Sequence, residues 1–178
     1  FMGDMVRHRE TTQGILDGLS QSPVVTIDTG FNEFNFKNIG DSYLALNPQS
    51  SLPENPKPAD FYRLLKLAMH AWSEDLLPKD TLEESWGDFK DRVQRALHVA
   101  CNQNSDKPIL IVSSGGAISM LMSLVLGLDA KQVIELNMQV RNTSISHFYF
   151  NKSNIRLSSF NNIPHLDSPD RLDSITFS

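Results

Sequence analysis

Between Pro108 and Ile118 the chain reads Pro-Ile-Leu-Ile-Val-Ser-Ser-Gly-Gly-Ala-Ile, an apolar run broken by two serines and two glycines before a second apolar run begins. The first run is a short buried strand. The second, Gly116 to Leu126, has the length of a helix, and Gly127 supplies a left-handed cap. The first turn of such a helix carries unsatisfied N–H donors and about half a positive charge, so an anion beyond the strand's end is stabilised without any charged side chain. Ser113 and Ser114 stand where a reactive or ligand-touching residue would stand.

The rest of the composition narrows the setting. A chain of 178 residues with 40% apolar and 21% charged content is most simply one soluble domain with an ordinary core. Its net charge of -5 gives no basic footprint for nucleic acid or an anionic membrane surface, so a phosphate-bearing ligand must be held by a few local donors. Cys101 is the only cysteine; no intramolecular disulfide can form, and a reducing, cytoplasmic setting is expected. Ile109 to Leu128 has the length of a membrane span but is interrupted by Ser113, Ser114, Gly115 and Gly116. No signal peptide is visible, and because the chain opens on Phe1 rather than Met, a natural start further upstream stays open.

Periodicity places the remaining elements. Arg9 to Leu19 has helical spacing and runs into the turn Ser20 to Pro23, and Val24 to Ile27 reads as a short strand. Gly30 to Asn35 is a loop carrying Glu33 between Phe31 and Phe34, while the proline-rich segment Asn47 to Pro58 is a surface excursion. Ala59 to Trp72 is a helix, and Thr81-Leu-Glu-Glu84 matches a capping box opening a long helix with Trp86, Phe89, Val93, Leu97 and Ala100 along one stripe. Ser144 to Phe150 and Ile155 to Phe160 read as adjacent strands joined through Asn151 to Asn154. Strands alternating with helices imply an α/β fold with helices on both faces of a largely parallel sheet, whose ligands bind at the carboxyl ends of the strands.

Three segments, in order, carry a resemblance. Asp4 to Thr12 (Asp-Met-Val-Arg-His-Arg-Glu-Thr-Thr), Phe31 to Phe36 (Phe-Asn-Glu-Phe-Asn-Phe) and Ile111 to Ile118 (Ile-Val-Ser-Ser-Gly-Gly-Ala-Ile) resemble the motifs of the histidine phosphatase, or phosphoglycerate mutase-like, superfamily. Asn142 to Ser146 and Asn161 to Leu166 are similar to its closing strands. The resemblance implies a three-layer α/β/α sandwich with a largely parallel mixed sheet, a single domain over residues 1–166 and a tail over 167–178. It implies phosphomonoester hydrolysis or phosphoryl transfer through a phosphohistidine, with no cofactor and a small phosphorylated substrate as partner. In that mechanism Arg7 clamps the phosphate with Ser114 and Gly115, Glu33 is the catalytic proton donor, and Asn142 and His165 support the site. Guanidinium suits the first role because it makes two parallel bonds to phosphate and stays charged. A glutamate flanked by aromatics suits the second because desolvation keeps it protonated. An exposed helix arginine, an ordinary loop carboxylate and a turn-forming Asn142 are the plain alternatives.

Two positions depart from the family pattern. The nucleophile of the family lies in an Arg-His-Gly motif on a strand upstream of the arginine segment, and Arg7-His8-Arg9 imitates it with Arg9 in place of the glycine. The favoured register makes Arg7 the clamp and His8 a helix-face residue. Ser114 then occupies the position of the family's second histidine, where a neutral hydroxyl makes a weaker bond to phosphate than a charged imidazolium. A non-catalytic phosphate-binding relative is the alternative, and a serine hydrolase using Ser114 is a further one, although Val112 stands where the nucleophile elbow needs glycine. His70, His98 and His147 show no metal-ligand spacing.

Overall fold

The computed structural model describes residues 1–21, 23–103, 107–151 and 153–177. Ser22, Lys152 and Ser178, which fall in two expected turns and the expected tail, lie outside the described residues. Among the described residues six α-helices and one hairpin follow in order: α1 (Val6–Asp17), α2 (Phe36–Leu46), α3 (Pro58–Ser73), α4 (Trp86–Cys101), α5 (Gly115–Leu126), α6 (Ala130–Asn137), β1 (Ile145–Phe150) and β2 (Ile155–Asn162).

The fold is mixed α/β, but its one paired ladder among the described residues is antiparallel: β1 pairs with β2 from Ile145 opposite Asn162 to Phe150 opposite Ile155. The expected parallel strands are much reduced. Met2 forms single parallel bridges to Ile27 on one side and Val112 on the other, and neither Val24 to Ile27 nor Ile109 to Val112 extends into a strand. Each segment contributes one bridging residue because the chain soon turns away. Asp28 caps a 3-10 turn over Thr29–Phe31, and Met5 leads directly into α1. The sandwich expected from the resemblance therefore has only this rudiment of a parallel layer among the described residues.

The core lies where α3, α4, α5 and α6 meet. Ala68, Met69 and Trp72 of α3 pack with Phe89, Val93 and Leu97 of α4, Ala117, Met120 and Leu121 of α5, and Val133 and Ile134 of α6. The apolar stripe read for α4 is the buried one. Its start is not: Thr81 belongs to a 3-10 turn and bonds the Pro78 carbonyl and Ser42, while Ser85 caps the helix and Asp88 completes the box. The hydroxyl of Ser85 accepts the Asp88 N–H at 3.1 Å, and Glu84, read as closing the box, pairs with Arg92 instead. Gly127 ends α5 in the left-handed conformation, φ 72°. No described helix is long and apolar enough to cross a membrane. The C-terminal residues return to the body of the domain, where Phe177 bridges Arg141.

Candidate functional site

Ser114 ends the segment that Met2 bridges and serves as the N-cap residue of α5. It is buried, and its Oγ has two partners. Arg7 Nε donates to it at 2.8 Å, and His8 Nε2 lies 2.7 Å away. Both come from the first turn of α1, and the bridges of Met2 to Ile27 and Val112 fix the start of that helix against the start of α5. Ser113 points elsewhere, its hydroxyl donating to the Phe31 carbonyl at 2.7 Å. Along the first turn of α5 the Gly115 and Ala117 N–H groups have no acceptor among the described residues, whereas Gly116 donates to Glu33. Arg7 is exposed, so this corner of free donors and guanidinium opens to solvent.

Glu33 comes to the same corner from the other side. Its Oε2 accepts the Gly116 N–H at 2.9 Å and its Oε1 the Phe34 N–H at 3.2 Å. Burial drives its carboxyl above the usual glutamate range; those two hydrogen bonds and the charges of Arg7 and Arg92 oppose the shift without cancelling it. Three anchors hold the loop. Phe34 packs against Trp72 and Phe89 with centroids 5.2 and 5.5 Å apart, Phe31 is buried with Ala96 and Ala100, and Arg92 donates to the Asn32 and Gly30 carbonyls at 2.8 and 3.1 Å. The same guanidinium holds both oxygens of Glu84 and stacks over Phe89.

A reciprocal amide pair ties this loop to α1. Asn32 Oδ1 accepts the Asp4 N–H at 2.9 Å and its Nδ2 donates to the Asp4 carboxylate at 2.6 Å. Gly3 sits beneath the junction, where a Cβ would overlap the His8 ring and the Asn32 side chain. His8, read as a helix-face residue, does lie on α1 but on its buried face: it is 1% exposed, and its Nδ1 makes no hydrogen bond of good geometry among the described residues. Desolvation, with Arg7 next, pushes its pKa below the ordinary histidine value, against opposing effects of Asp4 and the Gly3 backbone.

The structure thus gathers Arg7, Glu33, Ser114 and Gly115 around the start of α5, and leaves the two supporting candidates elsewhere. Asn142 bonds Thr176 and Phe177, and His165 bonds the Thr143 hydroxyl at 2.8 Å. Neither bonds Arg7, Glu33 or Ser114 among the described residues. Both belong to the region where the C-terminal residues dock, beside an open cleft of about 680 Å³ lined by Arg141, Ile163, Asp167 and Phe177 among others. That cleft is apart from the free helix donors, which makes it the weaker candidate for anion chemistry. Sequence reasoning set His8 aside as a helix-face residue and missed Asn32 and Arg92. The available signals were the adjacency of His8 to Arg7, and the position of Arg92 one turn after Phe89 on the buried stripe of α4.

Comparison with curated proteins gives no match, and comparison with solved structures gives none. A family model, that of the histidine phosphatase superfamily (branch 1), matches residues 1–163. That span takes in α1, the Glu33 loop, the Ser113 to Gly116 turn and the hairpin, and the chain belongs to the histidine phosphatase superfamily.

Proposed function

We propose that the protein recognises a phosphomonoester at the start of α5, with Arg7, the Ser114 hydroxyl and the Gly115 N–H receiving the phosphate, and Glu33 donating a proton to the ester oxygen that departs as an incoming nucleophile bonds to phosphorus and takes the phosphoryl group. The observation that carries this is the convergence on one helix N-terminus of an exposed guanidinium, free backbone donors and a partly buried carboxyl held above its ordinary pKa. An arginine and a helix dipole together stabilise a dianion, and a neutral carboxylic acid nearby can protonate a leaving alkoxide. A small, intracellular phosphorylated metabolite fits a local set of donors on an otherwise acidic protein. The Met2 bridges are the inner edge of the parallel layer of a three-layer sandwich on this reading. Residues 1–166 then form one domain.

The test is phosphate affinity together with hydrolysis of an alkyl and an aryl phosphomonoester. Arg7→Ala should weaken phosphate binding about tenfold to a hundredfold, the worth of a charge-assisted hydrogen bond. Glu33→Gln should slow the alkyl ester, which needs a protonated leaving group, more than the aryl ester. Phosphate binding that ignores Arg7→Ala would sink the assignment. Binding that depends on Arg7 without turnover of either ester would place the chain among non-catalytic relatives, a role favoured by the burial of His8 and its engagement with Ser114.

The Ser114–His8 hydrogen bond favours a second reading, a serine nucleophile with a histidine base. Against it, Ser114 has ordinary extended backbone, φ -114° and ψ 168°, rather than a strained elbow, and its oxygen already accepts from Arg7. Covalent labelling of Ser114 by a fluorophosphonate would decide for the serine hydrolase.

A further inference from the structure

Ser114 Oγ carries one proton and has two neighbours able to bond it. Arg7 Nε–H can only donate, so it occupies a lone pair of the hydroxyl. The hydroxyl proton then has one acceptor among the described residues, His8 Nε2. When that acceptor takes the hydroxyl proton's bond, His8 is neutral, with Nε2 unprotonated and facing Ser114. Its environment agrees. The ring is almost fully buried, the charged groups acting on it are Arg7 and Asp4, and Ser114 faces it from the start of α5.

An arriving dianion changes this arrangement. To bond the anion, Ser114 must turn its proton away from His8 and toward the ligand, and a bare Nε2 lone pair would then face the lone pairs of Oγ at 2.7 Å. That contact is repulsive unless Nε2 gains a proton and becomes the donor. Resting on the phosphate-binding role given above for Arg7 and Ser114, we propose that His8 takes up one proton when a dianion binds there, so that His8 donates to Ser114 and Ser114 donates to the anion. The atoms balance: one solvent proton is bound at Nε2, the Ser114 O–H changes acceptor, and no covalent bond is made or broken elsewhere. His8 becomes a positioning residue. Its positive charge never touches the ligand but reaches it through the hydroxyl, which supplies at Ser114 the polarisation that a serine lacks alone. Arg7 beside it disfavours the charged ring in the empty site, and the dianion offsets that repulsion in the filled one.

The test uses sulfate, whose charge is constant through the range in which histidine titrates, and calorimetry in two buffers of different ionisation enthalpy. The whole chain should bind sulfate with net proton uptake, and its affinity should fall by up to about tenfold per pH unit once His8 is neutral in the empty site. His8→Gln keeps a side-chain donor for Ser114 but cannot titrate, so sulfate binding should persist with no His8-dependent proton uptake and a flatter pH profile. Glu33→Gln should retain the wild-type slope. Loss of the slope in Glu33→Gln, or an unchanged slope in His8→Gln, would assign the proton elsewhere and overturn the role of His8. Should His8→Gln not fold, the ring nitrogen shifts of His8 in the wild-type protein must move from neutral to imidazolium on adding sulfate; shifts that stay neutral also overturn it. Sulfate binding without proton uptake defeats His8 alone, whereas no sulfate or phosphate binding at any pH defeats the phosphomonoester role as well.

Discussion

The Glu33 carboxylate lies against the Gly116 backbone, accepting its N–H at 2.9 Å, so closely that any Cβ at position 116 would overlap the carboxylate and the Phe34 ring. The second glycine of the turn is therefore a seat for the Glu33 carboxyl. Gly116→Ala should force Glu33 and Phe34 outward and cost about 1–3 kcal/mol, the usual penalty for overpacking. Urea unfolding measures it. An alanine variant as stable as the wild type would mean that the loop carrying Glu33 gives way freely, contrary to its anchoring by Phe31, Phe34 and Arg92.

Glu33 also sets a pH dependence with a definite sign. Its folded pKa is raised by burial, so the stability it lends is complete below the ordinary glutamate range and is lost as pH rises through the folded value. Glu33→Gln removes the titration while keeping an acceptor for the Gly116 N–H. Relative to the wild type it should gain stability between the ordinary glutamate range and the raised folded pKa of Glu33, and show a constant difference on either side of that window. Asp88 and Glu135, whose pKa values are lowered, act with the opposite sign, but they are common to both proteins and cancel in the difference. A difference that does not change with pH would mean that Glu33 ionises in the fold as it does in the unfolded chain.

How much of this was legible in the sequence follows the range of the forces involved. The helix after Ser114, the Gly127 cap and the buried stripe of α4 are local patterns and are found where they were read, the helix starting one residue early at Gly115, whereas the strand before it is reduced to the Val112 bridge. The helices α2 and α6 went unread although Asn35 and Asp129 cap them by accepting from Asn38 and Gln132, because runs of 11 and 8 residues hold few turns over which a period can show. The parallel layer was overestimated, since two apolar runs announce strands but not how many partners each finds. His8 was assigned to a helix face because its burial depends on where the first turn of α1 meets Ser114, more than a hundred residues away. Asn142 and His165 were placed by motif order alone, and their contacts run to Thr176, Phe177 and Thr143 instead.

The displaced capping box gives a direct comparison. Ser85, not Thr81, accepts from the first free N–H groups of α4, so Ser85→Ala should cost about 1 kcal/mol and speed amide exchange at Asp88. Thr81→Ala removes the bonds to Ser42 and Pro78 but should leave the Asp88 amide protected. Equal exchange at Asp88 in the two variants would return the cap to Thr81.

Arg92 connects the cap of α4 to the acid. One side of its guanidinium grips Glu84 through both carboxylate oxygens at 2.7 and 2.8 Å, and its remaining amine donates to the carbonyls of Gly30 and Asn32, directly before Glu33. A lysine keeps the charge but not the planar fork, and a single ammonium cannot span the carboxylate and the loop carbonyls together. Both partners are only partly buried, which reduces the electrostatic share and leaves the lost hydrogen bonds as the main cost. Arg92→Lys should therefore destabilise by about 1–3 kcal/mol in urea unfolding. If its hold on the loop matters to the proposed site, the same variant should lower turnover of an alkyl phosphomonoester while leaving phosphate affinity, which the proposal assigns to Arg7 and Ser114, close to wild type. Loss of affinity in step with turnover would show that Arg92 supports the whole corner rather than the placement of Glu33.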